Sequence, residues 1–240
     1  MVARRGGIRI FFTIPNIFTL LNSVFGFLSI LMAIRGSLLS AFILIVFAMI
    51  SDGLDGLVAR KLNAVTDLGR ELDSLCDQVS FGVAPAVMLV VASNMNMLAV
   101  AVAIIYACFG ALRLARFNIY GSKEFFEGLA IPAAAFFSGI TILCLADTRI
   151  HIAIVLVLLA AILMVSSIMF PSAKTRDGVE AISITVIIGI IMFITLLLVV
   201  PASTMARVIL WLIFSVSVSY VLASPLVFWI VRRKRMSNAG

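Results

Sequence analysis

Six acidic residues, Asp52, Asp55, Asp67, Glu71, Asp73 and Asp77, crowd positions 52 to 77 of a 240-residue chain that carries only 11 Asp and Glu in all. Asp52 and Asp55 are spaced i, i+3, and Asp73 and Asp77 i, i+4, so on helices each pair projects from one face. Two consecutive antiparallel helices joined by the short polar stretch from Lys61 to Thr66 would bring both pairs to a common depth. Carboxylates so gathered repel by about 4 kcal/mol per close pair at an effective dielectric of roughly 20, and only protons or cations relieve that. All-oxygen ligation selects hard divalent ions such as Mg²⁺ or Mn²⁺, and four shared carboxylates suit one or two of them. Gly53, Gly56, Ala59 and Gly69 interleave with the acids. Side chains this small leave the backbone open to a bulky ligand such as a nucleotide phosphate, and Arg60 adds a guanidinium fork for phosphate. The competing reading pairs the acids with Arg60, Lys61 and Arg70 as an interfacial charge network; four acids at helical spacing among small residues favour the metal site.

The elements that must carry these residues are set by composition. The chain is 63% hydrophobic and 12% charged, with mean hydropathy +1.24, against about 45–50% and about 25% for soluble domains. It is an integral membrane protein. Charge, Gly and Pro punctuate eight apolar segments, at 14–34, 38–60, 68–93, 96–118, 129–147, 151–169, 180–200 and 206–231. Their length and continuity predict helices, an all-α membrane fold, since barrel strands would alternate over about 10 residues. No room remains for a separate soluble domain.

The net charge of +7 is a topology signal and not a nucleic-acid footprint. With eight spans, 15 of the 18 Lys and Arg fall on the side of the termini, and only Arg35, Arg149 and Arg207 on the other. Both termini and the acidic cluster are therefore expected in the cytoplasm. Cys76, Cys108 and Cys144 stand singly in apolar runs and lack ligand spacing. The first apolar run is too long for a cleavable signal, and the lone His151 reads as interfacial.

Asp52-Gly53-Leu54-Asp55-Gly56-Leu57-Val58-Ala59-Arg60, then Gly69, Asp73 and Asp77, resembles the signature of the CDP-alcohol phosphotransferase family, D-x-x-D-G-x-x-A-R-x8-G-x3-D-x3-D, with every fixed position present. The resemblance implies transfer of a phosphatidyl-type group from a CDP-linked lipid to an alcohol, with release of CMP. It implies Asp52, Asp55 and Asp73 as metal ligands, and Asp77 as the residue that completes the cluster and serves as general base. It also implies that Gly56, Ala59 and Gly69 let cytidine pack closely and that Arg60 contacts phosphate or supports the metal cluster. Asn16 and Thr19 are similar to a family element near the nucleotide; a simple helix cap explains them equally well.

Strings outside the signature are similar to the phosphatidylserine synthase branch of that family: 77–86 (DQVSFGVAPA), 111–118 (ALRLARFN), 128–135 (GLAIPAAA) and 170–174 (FPSAK). They imply serine as the acceptor and a six-helix core over residues 1–175, followed at 176–240 by two further helices and a basic tail. Serine needs a cation for its carboxylate, and Arg113, Arg116, Asn118, Ser172 and Lys174 are candidates on the cytoplasmic side; the arginines could equally bind lipid phosphate or mark topology. The resemblance alone implies a homodimer. Other acceptors, such as glycerol 3-phosphate or inositol phosphate, would demand a denser cationic pocket. A cation transporter would place its acids near the bilayer midplane on broken helices. An aromatic prenyltransferase would show two Asp-rich motifs on distant helices.

Overall fold

The computed structural model describes residues 14–62, 66–120, 126–147, 149–170 and 205–239. An apolar run in lipid has to close its backbone hydrogen bonds within itself, and the runs do so as seven helices among the described residues: α1 (Ile14–Ile34), α2 (Leu38–Lys61), α3 (Asp67–Ala92), α4 (Met97–Tyr120), α5 (Ile131–Leu145), α6 (Ile150–Val165) and α7 (Met205–Ala239). Helices α1 to α4 and the stretch Val208–Val231 of α7 are long and apolar enough to cross a bilayer; α5 and α6 are shorter. The segment at 180–200 lies outside the described residues.

Two boundaries differ from those the apolar pattern predicts. The sixth segment leaves the helix after Val165, and Met169–Phe170 (β2) pairs antiparallel with Phe126–Glu127 (β1). Gly128 makes this possible: at φ +76, a region that favours glycine, its N–H donates to Ile168 O at 2.8 Å. At the other end of the chain, α7 does not stop near Val231 but continues through the basic run to Ala239.

Helix α1 packs along α2 and against α3, α4 packs on α6, and α5 contacts α2, α6 and α7. Small residues permit the close approaches. Ser29 donates to Ala41 O at 2.8 Å between α1 and α2, and the Phe42 ring lies over Gly139 of α5. Large side chains such as Leu20, Phe27 and Leu31 of α1 face outward, as lipid contact requires.

Helix α3 has a defect with a sequence cause. Pro85 cannot donate to the ladder and its ring crowds the preceding turn. The helix answers with a π turn over Gln78–Val83, between the helical stretches Asp67–Asp77 and Ala84–Ala92. Gln78 donates from Nε2 to Ala107 O at 2.9 Å and pins this turn to α4. The defect begins immediately after Asp77.

Candidate active site

Helix α2 ends with Asp52 and Asp55 on its last turns, and Thr66 starts α3 by accepting the Gly69 N–H on its hydroxyl at 3.0 Å. That cap sets the first turn of α3 so that Asp73 meets the α2 acids. One carboxylate oxygen each from Asp52, Asp55 and Asp73 falls within 4.8 Å of the others. Asp52 and Asp73 are in hydrogen-bonding contact, and the Thr19 hydroxyl of α1 lies against Asp55. Oδ2 of Asp55 and Oδ1 of Asp73 are buried without a hydrogen-bond partner.

Among the described residues no Lys or Arg lies within ion-pair distance of these three acids; Arg70 pairs instead with Asp67 at 3.7 Å on the exposed face of α3. The charge-network alternative is thus not what the fold builds. Clustered oxygens, two of them buried and unsatisfied, make a donor set that fits a hard divalent cation.

Asp55 and Asp73 line a cleft of about 200 Å³ between α1, α2 and the head of α3. All six residues expected around a CDP-lipid line it: Asn16 and Thr19 from α1, Gly56, Ala59 and Arg60 from α2, and Gly69 from α3. A Cβ on Gly69 would lie 3.1 Å from Thr66 Oγ1 and 3.4 Å from Asn16 Oδ1, so this position forms part of a tight wall. Thr19 also donates to Pro15 O at 3.2 Å, which anchors its side chain within α1.

Asp77 lies one turn further along α3, outside the compact triad but within electrostatic reach of Asp52 and Asp73. It is buried and accepts from Asn22 Nδ2 at 2.9 Å. From α4, Arg113 comes within electrostatic range of Asp77 and Asp52, with its guanidinium 5.3 Å from the Phe117 ring centroid.

The remaining acceptor candidates are placed differently. Arg116 donates to the carbonyls of Val165 at 3.1 Å, Glu127 at 2.8 Å and Ser166 at 3.1 Å, so it closes the end of α6. The structure thus turns the donors of this arginine to backbone carbonyls around the end of α6 and at Glu127. Asn118 is tied to α3, donating to Ser74 Oγ at 3.0 Å and Glu71 Oε2 at 3.5 Å. Ser172 and Lys174 lie outside the described residues. Asn22 and Ser80 join the site without having been singled out from sequence, although an Asn inside an apolar span is itself a signal of function.

The profile of the CDP-alcohol phosphatidyltransferase family matches residues 12–172. The chain is 40% identical over 184 residues to a CDP-diacylglycerol–serine O-phosphatidyltransferase of Methanocaldococcus jannaschii, covering 77% of this chain and 86% of the relative. A protein of the same name from Helicobacter pylori is 34% identical over 206 residues, covering 80% and 84%. An archaetidylserine synthase of Methanothermobacter thermautotrophicus is 37% identical over 175 residues, covering 71% and 73%.

Proposed function

The chain belongs to the CDP-alcohol phosphatidyltransferase family, and from that premise we propose that it moves a phosphatidyl-type group from a CDP-linked lipid to the hydroxyl of serine. The observation that carries this reading is the Asp52, Asp55 and Asp73 triad, with unpartnered buried oxygens on Asp55 and Asp73, the two members that line a cleft together with every expected nucleotide contact. Relatives named for both diacylglycerol and archaetidyl products support a glycerol-based lipid of either kind as donor.

In this reading Asp52, Asp55 and Asp73 would hold one or two divalent ions, with Asp77 on the inner flank. Bound Mg²⁺ or Mn²⁺ would supply charge neutralisation for the diphosphate and the departing CMP. Gly56, Ala59 and Gly69 leave room for cytidine beside Asn16 and Thr19, and Arg60 offers its fork to phosphate oxygens. Arg113 takes the serine carboxylate. Asp77 accepts the proton of the serine hydroxyl as its oxygen attacks the lipid-bearing phosphorus. The new P–O bond forms as the P–O bond to CMP breaks, CMP leaves with the bonding pair, and the proton on Asp77 passes to water.

The excess of basic residues on one side supports a cytoplasmic site and cytoplasmic termini. Residues 1–175 form the catalytic part in this reading, and 176–240 are an addition to it. The homodimer belongs to the same proposal and rests on the resemblance alone.

Purified protein in detergent, given CDP-diacylglycerol and Mg²⁺ or Mn²⁺, should release CMP with serine. It should stop on addition of EDTA and resume when the metal is restored. Release with glycerol 3-phosphate or inositol phosphate but not with serine would overturn the acceptor; undiminished turnover in EDTA would overturn the metal.

A further inference from the structure

Helix α1 reaches past the cleft to Asp77 through Asn22, a residue with no exposed surface. Its Nδ2 donates to Asp77 Oδ1 at 2.9 Å. An amide nitrogen only donates, so the nitrogen end of Asn22 is the one committed to Asp77. The other end, Oδ1, is buried with no hydrogen-bond partner. An unsatisfied buried oxygen is unfavourable, so packing alone would prefer an apolar side chain of the same size here.

The backbone around the contact is clamped. Ser80, in the π turn of α3, donates from its hydroxyl to Asn22 O at 2.9 Å. One turn along α1, Gly26 abuts the same Ser80, where a Cβ would lie 2.6 Å from the Ser80 Cα. With Gln78 pinning the π turn to α4, both ends of the Asn22–Asp77 hydrogen bond are set by backbone contacts within one turn of it.

We infer that Asn22 is a positioning residue for Asp77. Its amide holds Oδ1 and leaves Oδ2 as the oxygen that meets the acceptor hydroxyl, so the carboxylate does not swing toward Asp52 and Asp73. This inference rests on the assignment of Asp77 as the base.

The test compares the wild type, Asn22→Leu, Asp77→Asn and the double variant in detergent with CDP-diacylglycerol and serine. Asn22→Leu should lower kcat about 10- to 100-fold, the scale of one hydrogen bond to a charged group, with KM for the CDP-lipid within about twofold. Asp77→Asn should lower kcat about 10²- to 10⁴-fold. The double variant should be no slower than Asp77→Asn within about twofold, because Asn22 acts through Asp77. Should Asn22→Leu fail to fold, as read by thermal melting, Asn22→Ala carries the same expectation. Wild-type kcat in the Asn22 variant beside a dead Asp77→Asn would overturn the role of Asn22 and leave the proposed function intact. A further multiplicative loss in the double variant would also overturn it. Full turnover in Asp77→Asn would remove the base assignment and the inference together.

Discussion

Asp73 and Asp77 stand one turn apart on α3, and the fold gives them opposite surroundings. Asp73 joins Asp52 and Asp55 around an open cleft, with buried oxygens left unpartnered and no Lys or Arg at ion-pair distance among the described residues. Asp77 is enclosed, braced by Asn22 and faced by Arg113 from α4. The repulsion in a gathered set of acids is relieved only by protons or by a cation among them. Asp77, held by one amide donor, is oriented. Residues of one type in one signature thus divide, in the proposed reading, into a metal-holding side and a proton-accepting side through what packs around them.

The contrast breaks most sharply at the triad. Asp55→Asn keeps the shape and removes a ligand; turnover should fall at least about 10³-fold, and binding of added Mn²⁺, followed by its electron paramagnetic resonance, should weaken in parallel. Unchanged Mn²⁺ binding would move the metal site elsewhere. On the enclosed side, Arg113→Gln removes the guanidinium facing Asp77 and should raise KM for serine about 10- to 100-fold, with KM for the CDP-lipid within about twofold. An unaltered serine KM would take Arg113 off the acceptor side.

Smaller changes sharpen the boundary of each region. Gly69→Ala sets a methyl 3.1 Å from Thr66 Oγ1 in the cleft wall and should raise KM for the CDP-lipid about three- to tenfold, with serine KM unaffected. Arg116→Gln should leave both KM values near wild type and lower stability by about 1–3 kcal/mol, read as a lower melting temperature in detergent, because the last carbonyls of α6 lose their donor. A raised serine KM with unchanged melting would return Arg116 to the acceptor side.

The difference between Arg113 and Arg116 shows where sequence reading stops. Both lie on α4 three residues apart, and residue type and spacing treat them alike. Only the contacts of that helix separate them, since one lies within electrostatic range of Asp77 and Asp52 and the other bonds the end of α6. The π turn was likewise hidden. Pro85 announced a break in the ladder, but which neighbouring residues would absorb it depends on Gln78 finding Ala107 O and on Gly26 admitting Ser80. The cleft was more legible: Asn16, Thr19, Gly56, Ala59, Arg60 and Gly69 all line it, as the resemblance to the family had grouped them.

The amino-acid sequence by itself determined the membrane setting, the helical class and the meeting of Asp52, Asp55 and Asp73. The first two follow from local rules, apolar length and residues per turn, and the third from those rules together with the short polar stretch that makes α2 and α3 consecutive neighbours. The tertiary structure decided the separation of Asp77 from the triad, the bracing by Asn22 and the diversion of Arg116 to backbone. The contacts of Asn22 and the bond from Arg116 to Val165 O join residues 49 to 58 positions apart, and such contacts are set by which helices pack side by side, which no local rule contains.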